Sequence, residues 1–494
     1  MAEMLRDPAL EVLLGAELAP IVDMVLWQPA PCTYTGASAD GSVTFRGDDA
    51  GGFETLGVEG TDPFADQSPA HLAGLDAELA DPHPDRGHNA YPFAYEQTAQ
   101  LFDHPAAPDL CVVHSADHNW EDDGGHRGEH GSLGVLQARA PFVIAGKGVR
   151  RDGLVPRVAR LVDVAPTIAA LLGVPPSADG TYLAGQDGHV REDVLDESDR
   201  PQHVVGFLLD GANPNVLYAL AASGDAPNIA RLIDLGTAYE WGAIAGLPTV
   251  TLANHTSTIT GRAPGHHGIL HNAWWDRRTQ VQVITNSQAT WPWSMQHLLP
   301  GVETLHDVIH RASPSACTAS VNEPCDVGAD YSTFDLFRRG DVPPMPKTPD
   351  GLPHVTERFV RPSKDYSWSS VVDHLCTEQA VSIWDGEYRG VEYPAPTFMW
   401  CNFTLTDSAF HAGGPHSEIA RASVRDTDAR VGEVLAAVER RGVFDDTAFV
   451  LVADHGMQQT DPSVNGDWDV ALRAAGIPFR DEGYGFLYLG ENGG

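Results

Sequence analysis

The amino-acid sequence predicts an α/β fold, a three-layer core with a mostly parallel sheet between helices. Two observations predict it. From His203 onward, short apolar runs alternate with amphipathic ones: HVVGFLLD, NVLYALAASG, NIARLIDLG, FMWCNFTLT, HSEIARASVRDTDARVGEVLAAVERRG and TAFVLVAD. Such alternation implies parallel strands covered by helices on both faces. The strand-like runs also end on Asp210, on Asp407 with His411, and on Asp454 with His455. Sheets of this kind collect ligands beyond the carboxyl ends of their strands.

The remaining elements follow in order. VDMVLWQ and SVTFRG read as strands, and the Pro-, Asp- and Gly-rich passage from Gly60 to His88 reads as loop. LCVVHS (Leu110 to Ser115) and PFVIAG (Pro141 to Gly146) read as short buried strands. VDVAPTIAALLG (Val162 to Gly173) reads as a helix ending on glycine. The polar stretch Gln186 to Gln202 reads as an exposed linker. Residues 273–396, irregular and rich in Trp, Pro and Asp, read as an insertion forming a cap over the site. DPALEVLLG near one end reads as helix and YGFLYLG near the other as strand.

Bulk properties bound the function. A chain of 494 residues with 42% hydrophobic content suits a globular protein of two to four domains. No run approaches the roughly 18 apolar residues of a membrane span. The start lacks a basic region followed by an apolar core, so the expectation is a cytoplasmic protein with no membrane partner. A net charge of −37 argues against nucleic-acid polymers as partners. A small phosphoester approaching so acidic a protein needs local positive charge, which bound divalent cations supply. The six cysteines form no C-x-x-C pair; Cys111 and Cys401 read as buried thiols, while Cys317 and Cys325 flank a polar loop and could pair.

The chemistry centres on LPTVTLANHTSTITGRAPGHHGILHN, Leu247 to Asn272. It sets Thr251 where an apolar run gives way to a helix-like run. A threonine in isolation is more often an N-cap, and an Asp-Gly after a strand is often only a turn. Here four separate segments deliver one hydroxyl and several carboxylate and imidazole groups from strand ends, as a two-metal phosphoryl-transfer site requires. Asp407 and His411, spaced D-x-x-x-H, share one side of a helical turn.

These residues resemble the alkaline phosphatase superfamily, in particular its branch of nucleotide pyrophosphatases and type I phosphodiesterases. The resemblance rests on PT-x-T-x-x-NH, on TG-x-x-P-x-x-HGI-x-x-N and on ADHGM, from about His203 to Met457. It implies an alkaline-phosphatase-like core and a hydrolase acting on a phosphodiester or nucleotide-pyrophosphate-type substrate through a phosphothreonine on Thr251. It further implies two divalent metal ions, Zn²⁺ first among them. Asp210, Thr251, Asp454 and His455 would hold one, and Asp407, His411 and a further histidine the other. Asn272 would donate to a phosphate oxygen. Phe410 stands where the family often has glycine. His255, His266, His267 and His271 match no ligand position and read as structural or supporting.

The order departs from the family. No histidine follows Met457, yet GEHGS, a strand and D-x-x-P-T-I lie near the front. His130 is therefore expected to complete the second metal site, with His126 as its rival. The core reads as circularly permuted: residues 1–190 resemble the end of a phosphatase core, 191–202 are a linker, and 203–494 carry the nucleophile. Two chains exchanging halves, or truncation of a longer tandem protein, would give the same sequence. A phosphonoacetate-hydrolase-like or phosphomonoesterase activity is the enzymatic alternative. A non-catalytic phosphate-binding protein with an incomplete metal site is the alternative of another class. Trp274, Trp275, Trp291, Trp293, Tyr331 and Phe334 either stack a flat substrate group or, as such residues more often do, form local core.

Overall fold

In the computed structural model an eight-stranded sheet runs through the main core. The structure describes residues 2–48, 51–119, 126–196, 198–343 and 364–490. The sheet order is Tyr331–Ser332, Thr318–Val321, Phe398–Phe403, His203–Leu209, Thr447–Val452, Phe142–Gly146, Gly236–Tyr239 and Gly153–Val155. Every pairing is parallel except those of Phe142–Gly146, which runs antiparallel to both its neighbours. His203–Leu209 lies between two long partners, in register from Val204 opposite Phe398 to Leu209 opposite Phe403. Its Val204, Val205, Phe207, Leu208 and Leu209 are all buried, as a strand covered on both faces should be. Each such large side chain contributes roughly 1.5–3 kcal/mol.

Helices cover the sheet where the sequence patterns place them. Pro214–Ser223 starts on an Asn213 cap and stops on Gly224. Glu418–Arg441 starts on a Ser417 cap and stops on Gly442. Val164–Leu171 and Thr251–Thr260 complete the layers around the site. Among the described residues, no helix is long and apolar enough to cross a membrane.

A second sheet, antiparallel and seven-stranded, stands beside the first. Its order is Phe479–Glu482, Phe486–Leu489, Leu110–His114, Val22–Ala30, Thr33–Ser38, Gly41–Gly47 and Phe53–Gly60. Thus Val22–Ala30, Gly41–Gly47 and Leu110–His114 are strands as expected, but they belong to a separate sheet, away from the main core. The helix Ala2–Leu13 buries Ala9 and Leu13 in one cluster with Leu487 and Leu489, so the two ends of the chain pack together.

Three expectations are corrected. Residues 273–396 are not one cap: Thr318–Val321 and Tyr331–Ser332 enter the main sheet, and Lys364–Asp385 buries Cys376, Ala380 and Trp384 in its core. Residues 344–363 of that stretch lie outside the described residues. Strands this short carry too few residues for a period to be read. Nor is the stretch Gln186 to Gln202 a free linker. Asp187 accepts from Ala263 and His266, Val194 is buried, and Leu195 bridges Val149. Cys317 and Cys325 are both free thiols.

Candidate functional site

The site forms where three strands of the main sheet end. Asp210 follows His203–Leu209, Asp454 and His455 follow Thr447–Val452, and the helix Leu405–Gly413, which carries Asp407 and His411, follows Phe398–Phe403. Adjacent parallel strands end level, so their next residues converge. Gly211 makes the convergence feasible. Its backbone sits at φ +64, its N–H donates to Asp454 Oδ1 at 3.0 Å, and a Cβ there would lie 2.7 Å from Asp407 Oδ1.

Thr251 opens its helix after an extended Val250, and no side chain caps that end. A helix N-terminus of this kind favours an anion, with one of its first-turn N–H groups, that of Leu252, already engaged by Asn272. Asn254 staples the turn before it: its amide accepts from the Gly246 N–H at 2.7 Å and donates to the Pro248 carbonyl at 2.9 Å. Asn272 accepts from the Leu252 N–H at 3.2 Å, which leaves its NH₂ as the free donor.

His130 lies beside Asp407 and His411 in the same chain. Its Nδ1 donates to the Thr249 carbonyl at 2.8 Å, and its Nε2 lies 3.8 Å from Asp407 Oδ1. Its ring stacks on His455 at 3.7 Å between centroids. The loop behind it is latched, because the Gly131 N–H donates to the Thr249 hydroxyl, which donates to the Ser132 carbonyl. His411 and His455 repeat the pattern. Each donates Nδ1–H to a carbonyl, of Gly128 and Gly456 respectively, and turns Nε2 inward, 3.3 Å from Asp407 and 3.1 Å from Asp454. An Nδ1 that faces a carbonyl must carry the proton, so Nε2 is left for another partner. His126, the rival of His130, instead pairs with Glu129 at 2.7 Å on the flank of His411.

The donor set fits divalent cations. Asp210 Oδ1, Asp407 Oδ1, Asp454 Oδ2 and His455 Nε2 are buried without hydrogen-bond partners, and they face one another. Orphaned buried acceptors of this kind are costly unless something binds them. Among the described residues, four groupings bring potential ligand atoms within 4.8 Å of one another: Asp210 with Asp407 and His455, Asp407 with His130 and His411, Asp210 with His255 and Asp454, and His126 with Glu129 and His411. Burial, together with Asp454 and Asp407 opposite, pushes the Asp210 carboxyl well above its usual range. For His411 burial opposes the charged form, but Asp407 and Glu129 outweigh it and lift the group to about 10. Burial and the neighbouring His455 and His411 hold His130 well below its ordinary value.

His255, which the sequence reading leaves as structural or supporting, is a neighbour of the carboxylates. His255 Nε2 lies 3.8 Å from Asp210 and 3.6 Å from Asp454. The signal was its spacing, one helical turn after Thr251 on the same face. Of the aromatic residues singled out in 273–396, Trp274, Trp275, Tyr331 and Phe334 are buried, whereas Trp293 is exposed. Trp274 and Trp275 are buried in a cluster with Phe486 and Tyr488, and Tyr331 in the main core. A cleft of about 710 Å³ opens over His130, His411 and Asn272, with Glu129 on its wall and Asp467, Asp469 and Tyr484 on its far rim.

A threonine opening a helix, together with a cluster of carboxylates and imidazoles at the strand ends of a mostly parallel sheet, is the arrangement of a member of the alkaline phosphatase superfamily. Residues 204–492 match the family model described as type I phosphodiesterase / nucleotide pyrophosphatase, and the chain belongs to that family. Ectonucleotide pyrophosphatase/phosphodiesterase family member 1 of Rattus norvegicus is 24% identical over 253 residues, 51% of this chain and 24% of that protein. The alkaline phosphatase PafA of Elizabethkingia meningoseptica is 33% identical over 91 residues, 18% of this chain and 17% of that protein. The chain thus spans about a quarter or less of the length of these relatives. Among solved structures, phosphonoacetate hydrolase from Sinorhizobium meliloti 1021 is similar at 21% identity and a TM-score of 0.34, over 52% of this chain and 57% of that one.

Proposed function

We propose that the protein hydrolyses a small phosphodiester or nucleotide-pyrophosphate-type phosphoester through a phosphothreonine on Thr251. The observation that carries the reading is that one chain brings Asp210, Asp454, His455, Asp407, His411 and His130 together, with Thr251 opening the helix whose preceding turn holds His130, next to a cleft of about 710 Å³ lined by His130, His411 and Asn272. Asp210, Thr251, Asp454 and His455 would hold one divalent cation and Asp407, His411 and His130 a second, with Zn²⁺ suited to this mixture of carboxylate and imidazole. Bound there, the cations supply Lewis acidity, which lowers the pKa of a hydroxyl and offsets charge on the phosphate.

The residues themselves account for the remaining requirements. The helix N-terminus offers N–H groups to the phosphate, and Asn272 offers its NH₂ to an oxygen that gains charge. Thr251 Oγ1, giving up its proton, would attack phosphorus as the P–O bond to one substituent breaks and that group leaves with a proton. The phosphothreonine still carries the second substituent. Water then cleaves the P–Oγ1 bond, releasing a phosphomonoester and restoring the Thr251 hydroxyl. We also propose that the chain is a circularly permuted member of its family, with 1–190 supplying what the end of the family core supplies, 191–202 joining the halves and 203–494 carrying the nucleophile. The Thr249 contacts to Gly131 and Ser132 support this arrangement in a single chain.

The test is hydrolysis of bis(4-nitrophenyl) phosphate by zinc-loaded protein, with 4-nitrophenyl phosphate and phosphonoacetate as the competing substrates. The diester should be preferred, and Thr251→Ala should lose at least about 10³-fold in turnover, the scale on which nucleophile removal acts, while still binding two zinc ions. Near-normal turnover by Thr251→Ala would overturn the mechanism. Clear preference for the monoester or phosphonate would move the substrate class.

A further inference from the structure

The His255 imidazole has a second partner that lies outside the ligand set. Its Nδ1 is 2.8 Å from Glu323 Oε2. Glu323 follows the strand Thr318–Val321 and is fully buried, and His255 is 1% exposed. Burying a carboxylate and an imidazole together is unfavourable unless their remaining polar atoms are engaged. Those of Glu323 are: Oε1 accepts the Cys325 N–H at 2.9 Å, and the Glu323 carbonyl accepts from Ser320 at 3.0 Å. His255 Nε2 is not. It is buried, has no hydrogen-bond partner, and faces Asp210 Oδ2 and Asp454 Oδ2.

We propose that His255, oriented by Glu323, is a positioning residue that sets the separation and direction of the Asp210 and Asp454 carboxylates for the cation they hold. The inference rests on the reading of those two carboxylates as cation ligands. Asp210, His255 and Asp454 also have potential ligand atoms within 4.8 Å of one another. On the proposed reading, however, Asp210, Thr251, Asp454 and His455 would fill a tetrahedral zinc shell, so His255 would act through the carboxylates and not as a fifth ligand. A carboxylate fixing an imidazole that in turn fixes its neighbours is the usual means by which residues behind a metal site hold its geometry.

The experiment is a calorimetric zinc titration of the full chain and of Glu323→Ala, Glu323→Gln and His255→Gln. It is accompanied by the visible spectrum of each protein loaded with cobalt and by circular dichroism to confirm folding. Glu323→Ala should weaken one of two zinc sites by about 10–100-fold, the range for such supporting residues, and leave the other unchanged. Excess zinc should restore most of the lost turnover, and His255→Gln, which keeps an N–H donor, should lose less than Glu323→Ala. Unchanged zinc affinity in all three folded variants would overturn the inference, leaving the pair as core filling. A cobalt spectrum altered by His255→Gln at full occupancy would overturn it in favour of direct ligation. If Glu323→Ala fails to fold, Glu323→Gln and His255→Gln still decide. Wild-type protein that binds two zinc ions without hydrolysing any phosphoester would defeat the proposed function and leave this affinity test standing. Protein that binds no zinc would defeat both.

Discussion

The backbone N–H of Gly131 donates to the hydroxyl of Thr249 at 2.9 Å, across 118 positions of sequence. The bond joins the residue after His130 to a residue of the turn that delivers Thr251. The same hydroxyl donates to Ser132, and the Thr249 carbonyl accepts from His130. Thr249→Val keeps the shape and removes the hydroxyl, which leaves a buried N–H and a buried carbonyl unpaired. Such a loss costs about 1–3 kcal/mol. The expected outcome is a lower thermal midpoint together with weaker zinc binding at the Asp407–His411 site. A variant with wild-type zinc affinity at both sites would show that His130 needs no latch.

Because the loop of His130 is bonded within one chain to the turn that precedes Thr251, complementation should fail. Thr251→Ala and His130→Ala are each expected to lose most turnover. Mixed in equal amounts, unfolded together and refolded, they should regain none of it. Recovery toward a quarter of wild-type activity would mean that chains exchange halves and build the site from two copies.

His266 ties three segments together. Its Nδ1 meets Asp187 at 2.8 Å and its Nε2 meets Asp103 at 3.0 Å. Burial opposes its charged form, but the two carboxylates outweigh that effect and raise it to about 9. A group raised on folding stabilises fully below its unfolded value, near pH 6.5, and the contribution fades as pH climbs through about 9. His266→Ala should therefore cost roughly 1–3 kcal/mol at pH 6, reduced by partial solvent exposure, and far less at pH 10. Urea denaturation at both pH values measures the difference. An equal loss at the two values would show that the histidine acts by packing alone.

Much of this architecture was legible in the residues, and the limits are physical. HVVGFLLD, FMWCNFTLT and TAFVLVAD are continuous apolar runs, because strands buried on both faces need no polar alternation. Their ends carry the acids and histidines, so finding the strands located most of the site. The second sheet was not legible as a sheet, since Leu487 pairs with Leu110 and no local pattern announces so distant a partner. Thr318–Val321 was hidden by its length. Glu323 was hidden because its function depends on His255, 68 positions away. His255 itself was in plain view one turn after Thr251, but spacing on a helix shows only which residues share a face. It does not show what that face meets.

Gly211 is the residue on which the spacing of the two cation groups turns. It follows Asp210, adopts φ +64 and passes within contact of Asp407, so a methyl group there faces both a disfavoured backbone and a carboxylate oxygen 2.7 Å away. Gly211→Ala should destabilise the protein by about 1–3 kcal/mol, the cost of holding a non-glycine residue in that conformation. Its larger effect should fall on the site. To relieve the clash Asp407 must retreat, and Asp407 is shared by two of the candidate groupings, one with His130 and His411 and one with Asp210 and His455, while the Gly211 N–H also holds Asp454. Zinc affinity should thus drop at both sites in Gly211→Ala, whereas His130→Ala should weaken only the site shared with His411. A zinc titration of the two variants side by side separates these outcomes. If Gly211→Ala loses stability yet keeps both affinities, Asp407 has room to yield, and the close approach is not what holds the two groups together.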